Sequence, residues 1–176
     1  MRGGSRSESE VCSVDTLVMA IPTVEDGAAA WHIARESRVL DVNSPYSYLL
    51  WFRYFARTSV VASDSGDVPV GFVTGFRRPE QPDTLVVWQI AVDRGQRGRG
   101  TASAMLDHLT ARLTAAGALR HLETTISPDN AASHRLFRSF ARRHAARLER
   151  DLLFPAELFP DAHEAEFLYR IGPLLR

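Results

Sequence analysis

Between Trp88 and Ala102 an apolar run, Trp-Gln-Ile-Ala-Val-Asp, passes straight into Arg-Gly-Gln-Arg-Gly-Arg-Gly-Thr-Ala. That order of residue types builds an anion cradle. Gly95, Gly98 and Gly100 allow φ > 0 and a close approach of backbone to ligand. The helix pattern beginning at Thr101 offers unpaired N–H groups and a partial positive charge. A second set of residues is acidic. In His163-Glu-Ala-Glu166, alternation of period two puts Glu164 and Glu166 on one face of the last strand. Like charges so placed repel unless a cation lies between them, either a cationic ligand or an arginine. Asp41 is a further acid, in the break between two helix patterns. Trp88 shares a strand face with Ile90 and Val92 by the same period, where its indole either packs in the core or faces an ammonium.

Other glycine-rich cradles fit less well. A Walker loop ends in Gly-Lys-Ser/Thr, and the chain has no lysine. A dinucleotide fingerprint needs Gly-x-Gly-x-x-Gly and an acid about 20 residues further on. Gly98-Arg-Gly100 followed by Ser103, with Glu123 downstream, matches it only in part.

The elements that must position these residues follow from periodicity and turn chemistry. A strand over 15–21 opens the fold. Asp26 can cap a helix running to about Leu40, with Trp31, Ala34, Arg35 and Arg38 at helical spacing. Asp41-Val-Asn-Ser44 breaks it, and Ser44-Pro45 starts an aromatic helix over 46–56. Strands over 58–63 and 70–76 form a hairpin around Asp64-Ser-Gly-Asp67. Residues 79–83 read as a loop into a long strand over 85–92. A helix over 101–116 stops at Gly117. A strand over 119–126, a turn at Pro128-Asp-Asn130, a helix over 131–141 and strands over 147–154 and 164–171 complete the order β-α-α-β-β-β-α-β-α-β-β.

Bulk properties bound the function. The 176 residues suit one domain, expected over 15–176, after a polar tail over 1–14 expected to be disordered. That tail lacks the apolar core of a signal peptide, and no apolar run approaches the ~18–20 residues of a membrane span. The single cysteine, Cys12, excludes disulfide and zinc-cysteine frameworks, so no metal and a cytoplasmic location are expected. Net charge is zero, with 21 basic and 21 acidic residues; nucleic-acid binders usually carry a basic excess, so none is expected as a partner. Arg135, Arg138, Arg142, Arg143, Arg147 and Arg150 form a local basic run. It reads as a solvated face, or as contacts to an additional phosphate.

Arg97-Gly-Arg-Gly100-Thr-Ala102 has the form Arg-x-x-Gly-x-Ala, which resembles the pyrophosphate loop of the GNAT acetyltransferases. The element order is theirs too. Further blocks stand in sequence: 40–50 (LDVNSPYSYLL), 58–62 (TSVVA), 87–92 (VWQIAV), 123–133 (ETTISPDNAAS) and 163–166 (HEAE). Together they resemble the L-2,4-diaminobutyrate N-acetyltransferases of ectoine biosynthesis over roughly 17–171. The resemblance implies an α/β GNAT acyltransferase fold, a mixed central sheet of about seven strands flanked by about four helices. It implies acetyl-CoA as co-substrate, L-2,4-diaminobutyrate acetylated at its 4-amino group, and a homodimer.

Residue by residue, it implies that Arg97, Gly98, Arg99, Gly100, Thr101 and Ala102 hold the pyrophosphate. Ile90, Ala91 and Val92 would line the thioester, with a backbone N–H near Ala91 or Val92 for the oxyanion. Asn130 would contact coenzyme or cap its own helix. Asp41, Asn43, Tyr46, Trp88 and Glu166 would bind the amine. A Lys-like ammonium of pKa about 10.4 must lose a proton before it attacks; Glu166, Glu164, His163 and Asp41 are candidate bases. One departure stands out. Many GNAT enzymes carry a tyrosine acid where this chain has Phe137 in the pair Leu136-Phe137, which leaves Tyr169, water or no acid at all. Two further readings stay open: acetylation of another small amine, such as a polyamine or aminoglycoside, and an acyl-CoA-binding module without catalysis.

Overall fold

A long hairpin followed by a helical crossover sets the architecture. The computed structural model describes residues 17–38, 40, 43–117, 119–160 and 163–174. The expected tail with Cys12, the start of the first strand and Asp41 lie outside these residues. The elements are β1 (Val18–Ala20), α1 (Gly27–Ser37), α2 (Pro45–Tyr54), β2 (Val60–Ser63), β3 (Pro69–Arg78), β4 (Gln81–Val92), α3 (Thr101–Ala115), β5 (His121–Ile126), α4 (Ala131–Arg143), β6 (Arg147–Phe154) and β7 (Glu166–Gly172). They form one seven-stranded sheet in the order β1-β2-β3-β4-β5-β7-β6. Only β4 and β5 pair in parallel, the pair joined by α3, because parallel neighbours need a crossover. This is the expected mixed sheet with four helices. None of the described helices is long and apolar enough to cross a membrane.

Each sheet face has its own core. On one face Leu85, Val87, Leu122, Tyr169 and Ile171 meet Met105, Leu106, Leu109, Phe137 and Phe140 of α3 and α4. On the other, Phe72 and Ala91 meet Ala30, Ile33, Ala34, Tyr48 and Phe52 of α1 and α2. Those two helices cover the β3–β4 half of their face, and the neighbouring strands carry a buried polar cluster. Glu123, only 4 % exposed, accepts from Arg78 at 3.3 Å and lies 3.5 Å from Arg170. Glu123 is thus engaged by two arginines, which removes the acid that the dinucleotide reading required. Glu123→Ala leaves both guanidiniums without it, a loss of about 2 kcal/mol in urea unfolding. That is below the ~3–5 kcal/mol of a fully buried pair, because the arginine side chains are 39 % and 32 % exposed and regain water. An unchanged midpoint would show that the cluster contributes nothing.

Several boundaries differ from expectation for local reasons. Asp26 does not cap α1: its Oδ2 accepts from the Thr23 N–H at 2.7 Å and from the Thr23 hydroxyl at 3.2 Å, folding back on a short 3-10 turn over Val24–Asp26. The helix ends before Leu40, at Ser37, because Arg38 turns left-handed with φ 56°. The stretch 79–83 is not a loop. Arg78 pairs with Gln81, so only Pro79 and Glu80 form the hairpin tip. At the other end, β7 begins at Glu166, leaving Glu164 ahead of the ladder.

Candidate active site

The site grows from an irregularity in β4. Thr74 pairs with Gln89, but Gly75 pairs with Val87, so Trp88 is an extra residue on β4. The Thr74 hydroxyl accepts from the Gln89 N–H at 3.1 Å, which holds the bulge. A bulge sets two consecutive side chains on one face. Trp88 and Gln89 therefore both reach α2: Trp88 stacks on Trp51 at 4.2 Å, and Gln89 Oε1 accepts from the Tyr48 hydroxyl at 2.9 Å. The expectation that Trp88 shares a face with Ile90 and Val92 is corrected, since those two pack into the α3–α4 core.

Beyond the bulge the sheet opens. The β4–β5 ladder runs from Thr84↔His121 to Val87↔Thr124 and stops, although β4 continues to Val92 and β5 to Ile126. Asp93 donates its N–H to Val70 on β3. Alternation then turns the Ala91 N–H to β3 as well, and directs those of Ile90 and Val92 into the gap. Of the strand residues expected to hold an oxyanion, Val92 and its neighbour Ile90 are oriented for it, whereas Ala91 is not.

The cradle closes one end of the gap. The Asp93 carboxylate accepts from the Gly95 N–H at 2.8 Å. Arg97 Nε donates to the Val92 carbonyl at 3.2 Å, and the Thr101 hydroxyl donates to Gln96 O at 3.4 Å. Gly98 (φ 77°) and Gly100 (φ 83°) are left-handed, whereas Gly95 is not. A Cβ on Gly98 or Gly100 would meet nothing within 4 Å. The space above them is open, as a bound diphosphate requires. The first α3 bond runs from Ala104 N to Gly100 O, so the N–H groups of Thr101, Ala102 and Ser103 have no helical acceptor. Arg99 stands exposed in the same turn. Arg97 and Ala102, with Ile90, Ala91 and Val92, then line a mainly apolar cavity of about 240 Å³ that also touches Leu136 and Asn130.

A second cavity, of about 420 Å³, lies on the α1–α2 side. Its walls are Trp88 and Gln89 from β4, Thr125 and Ile126 from the end of β5, Ser127, Asp129 and Asn130 from the turn that follows, His163 and Glu164 ahead of β7 and Glu166 at its first position, with Leu40 and Asn43 from the helix break. The two cavities share Leu40 and Asn130. Asn130 Oδ1 accepts from the Ser133 N–H at 3.0 Å, so it caps α4 and borders both cavities at once. Glu164 and Glu166 do converge on one space, although through a coil segment rather than a shared pleat. His163 Nδ1 lies 2.7 Å from the Glu164 carbonyl. A carbonyl only accepts, so Nδ1 carries the proton and the neutral ring has its lone pair on Nε2. Nε2 lies 3.9 Å from Glu166 Oε1, and Phe159 stacks on the imidazole at 4.1 Å.

Other expectations fall elsewhere. Tyr46 is 65 % exposed and does not border the cavity; Tyr48, one helical step inward, is fully buried. Burial pushes the Tyr48 hydroxyl above its ordinary pKa, against the opposing effect of its side-chain hydrogen bonds with Asn43 and Gln89. Phe137 belongs to the core, and Leu136 is the residue that touches the donor cavity. Tyr169 is buried on that same core face, its hydroxyl 2.8 Å from His134 Nδ1, and so is no acid for a thiolate. In the basic run, Arg143 pairs with Asp107, Arg147 with Glu149, and Arg150 covers Phe167. Sequence reasoning missed Gln89, Thr125, Ser127 and Asp129 as cavity residues.

A splayed parallel strand pair, a glycine cradle at a helix start and an adjoining acidic cavity define a GNAT-type acetyltransferase. The Acetyltransferase (GNAT) family model matches residues 28–141. Two relatives are each an L-2,4-diaminobutyric acid acetyltransferase. That of Streptomyces coelicolor is 61 % identical over 154 residues, covering 87 % of this chain and 91 % of the relative. That of Streptomyces anulatus is 57 % identical over 170 residues, covering 96 % and 94 %. The chain belongs to this family of L-2,4-diaminobutyric acid acetyltransferases. Diaminobutyrate acetyltransferase EctA from Paenibacillus lautus, solved in complex with its substrate L-2,4-diaminobutyric acid and coenzyme A, superposes with a TM-score of 0.86 at 41 % identity. The match covers 92 % of this chain and 98 % of that one.

Proposed function

We propose that this protein transfers the acetyl group of acetyl-CoA to the 4-amino group of L-2,4-diaminobutyrate, giving the N4-acetyl derivative that is cyclised to ectoine. The observation that carries the proposal is the meeting of an anion-cradled donor cavity with an acid-walled acceptor cavity at Leu40 and Asn130. In this reading the cradle from Arg97 to Ala102 holds the pyrophosphate, and the thioester lies along Ile90–Val92. Glu164 and Glu166 receive the ammonium groups, and Trp88 faces one of them. Asn43, whose backbone carbonyl accepts from Trp31 Nε1 at 3.1 Å, forms part of the roof, and Asp41 belongs to the same helix break. Tyr46 is left without a role in the acceptor cavity.

The chemistry follows from these placements. One ammonium proton passes to His163 Nε2 or Glu166, directly or through water, and then to solvent. The freed amine attacks the thioester carbon. A C–N bond forms, and the developing oxyanion accepts from an N–H of Ile90 or Val92. The C–S bond then breaks, and the second proton leaves the former amine nitrogen for solvent or the departing thiolate, giving the neutral amide and the coenzyme A thiol. The leaving thiol has a Cys-like pKa of about 8.5, so thiolate departs without the tyrosine that Phe137 replaces.

The enzyme acts in the cytoplasm as a homodimer. Support for the second copy is the run Leu152, Leu153 and Phe154 on edge strand β6, 55 %, 39 % and 44 % exposed, with Leu158 at 67 %. A bare apolar edge of this kind is normally covered. The test is coenzyme A release against a panel of amines. Diaminobutyrate is expected to exceed ornithine and spermidine in kcat/KM by at least about tenfold, since a single methylene is worth about 10–200-fold in a shaped pocket. Equal rates would remove the substrate assignment, and no release with any amine would favour a binding module. Sedimentation of the same sample at twice the chain mass checks the dimer, and a monomer would remove it.

A further inference from the structure

The bulge that builds the site leaves the orientation of one ring to be fixed from elsewhere. Trp88 is the extra residue on β4, so ladder pairing does not set where its side chain turns. It is 37 % exposed, and it borders both the acceptor cavity and a mainly apolar cavity of about 580 Å³ beside it. The plane of the ring decides what it does to a cation. An indole face carries partial negative charge and its edge partial positive charge. An ammonium is therefore attracted over the face, within about 6 Å of the centroid, and repelled at the edge. Arg78 also lines the apolar cavity, but its Nη1 is on Gln81 and Glu123, at 3.2 and 3.3 Å. Among the described residues no guanidinium covers Trp88; the rings so covered are Trp31, Phe140, Phe167 and Tyr169.

Trp51 supplies the missing constraint. Tyr48 and Trp51 stand three residues apart on α2, hence on one helix face, opposite the consecutive pair Trp88 and Gln89. The Tyr48 hydroxyl donates to Gln89 at 2.9 Å, and the Trp51 ring stacks on Trp88 at 4.2 Å with 27° between the planes. Trp51 is itself held by Phe55, one turn along α2, at 5.0 Å and by Phe76 of β3 at 6.1 Å. One face of Trp88 is thus covered, and its other face and edges are what the cavities meet. The Trp51 indole N–H is buried and has no hydrogen-bond partner among the described residues. A buried donor without a partner is a cost, and phenylalanine would not incur it. What the indole adds is ring area against Trp88. The third tryptophan, Trp31, packs against His32 and Arg35 instead.

Resting on the proposed acceptor, we propose that Trp51 is a positioning residue: its stacked ring fixes the plane of Trp88 so that the uncovered face of Trp88 receives a substrate ammonium. The test is a double-variant cycle, with diaminobutyrate and acetyl-CoA each varied in turn. Trp88→Leu is expected to raise the KM for diaminobutyrate about 5- to 30-fold, the worth of a desolvated cation–π contact. Trp51→Leu is expected to raise it by at least about threefold, with the KM for acetyl-CoA unmoved in both variants. The double variant is expected to match Trp88→Leu alone, because Trp51 acts only through Trp88. Trp51→Phe keeps a ring against Trp88 and is expected to fall between wild type and Trp51→Leu. Where Trp51→Leu does not fold, Trp51→Phe carries the cycle under the same criterion. Circular dichroism supplies a second readout, since the stacked indoles of the wild type should give an exciton couplet that Trp51→Phe abolishes. A merely structural role would raise both KM values together and multiply the losses in the double variant. Either result, an unmoved KM for diaminobutyrate in Trp51→Leu, or a wild type without the couplet overturns the proposal. Wild-type enzyme inactive on diaminobutyrate would remove the acceptor assignment and this inference with it. Active wild type with multiplying losses removes this inference alone.

Discussion

Glu166→Gln is expected to lower kcat/KM for diaminobutyrate by about 10³-fold, within the 10²–10⁴ range of a lost acid–base group, while acetyl-CoA affinity stays within about threefold. Glu166 begins β7 and borders the acceptor cavity with Trp88, His163 and Glu164. It is absent from the donor cavity. Glutamine keeps the volume and removes the charge, so the variant loses attraction for an ammonium and a station for its proton together. Steady-state kinetics with each substrate varied in turn, plus calorimetry of coenzyme A binding, separates the two cavities. Lost coenzyme binding in a folded variant would contradict the division between acceptor and donor walls.

The opposite pattern is expected at the cradle. Gly100→Asp should weaken acetyl-CoA binding by about 100-fold or more, with the KM for diaminobutyrate nearly unmoved. Gly100 is the left-handed residue immediately before α3, and a Cβ there meets nothing within 4 Å beyond its own chain neighbours. Asp is among the non-glycine residues that tolerate this conformation best, so the fold survives at a cost of about 1 kcal/mol. The added carboxylate then enters a space that attracts anions through the first α3 N–H groups. Repulsion between it and a diphosphate is the dominant effect. Gly100→Asn carries nearly the same shape without charge and should lose much less. Equal losses for Asp and Asn would mean that backbone strain, not anion binding, governs the site.

What could be read from the sequence divides by the range of the forces involved. The cradle was legible because its causes are local: glycine conformational freedom and a helix start lie within a few residues. The element order was legible for the same reason. The Trp88 bulge was not, because it depends on the Thr74 hydroxyl of the neighbouring strand capturing the Gln89 N–H. Alternation alone assigns Trp88 to the wrong face and hides Gln89 altogether. Tyr46 and Tyr48 look alike on an aromatic helix, and only packing of α2 against Phe72 buries the second. Glu164 and Glu166 were expected on a common strand face. They reach the same cavity instead because the chain enters β7 only at Glu166, from a coil that carries His163 alongside.

The reaction places one acetyl group on one particular nitrogen, and regiochemistry tests that most directly. The measurement is heteronuclear NMR of the product from diaminobutyrate and acetyl-CoA labelled with ¹³C in the acetyl group. The expected spectrum shows a labelled amide carbonyl that correlates with the C4 methylene protons, with the C2 amine still free. A correlation to the C2 proton instead, or no labelled amide at all, would contradict it.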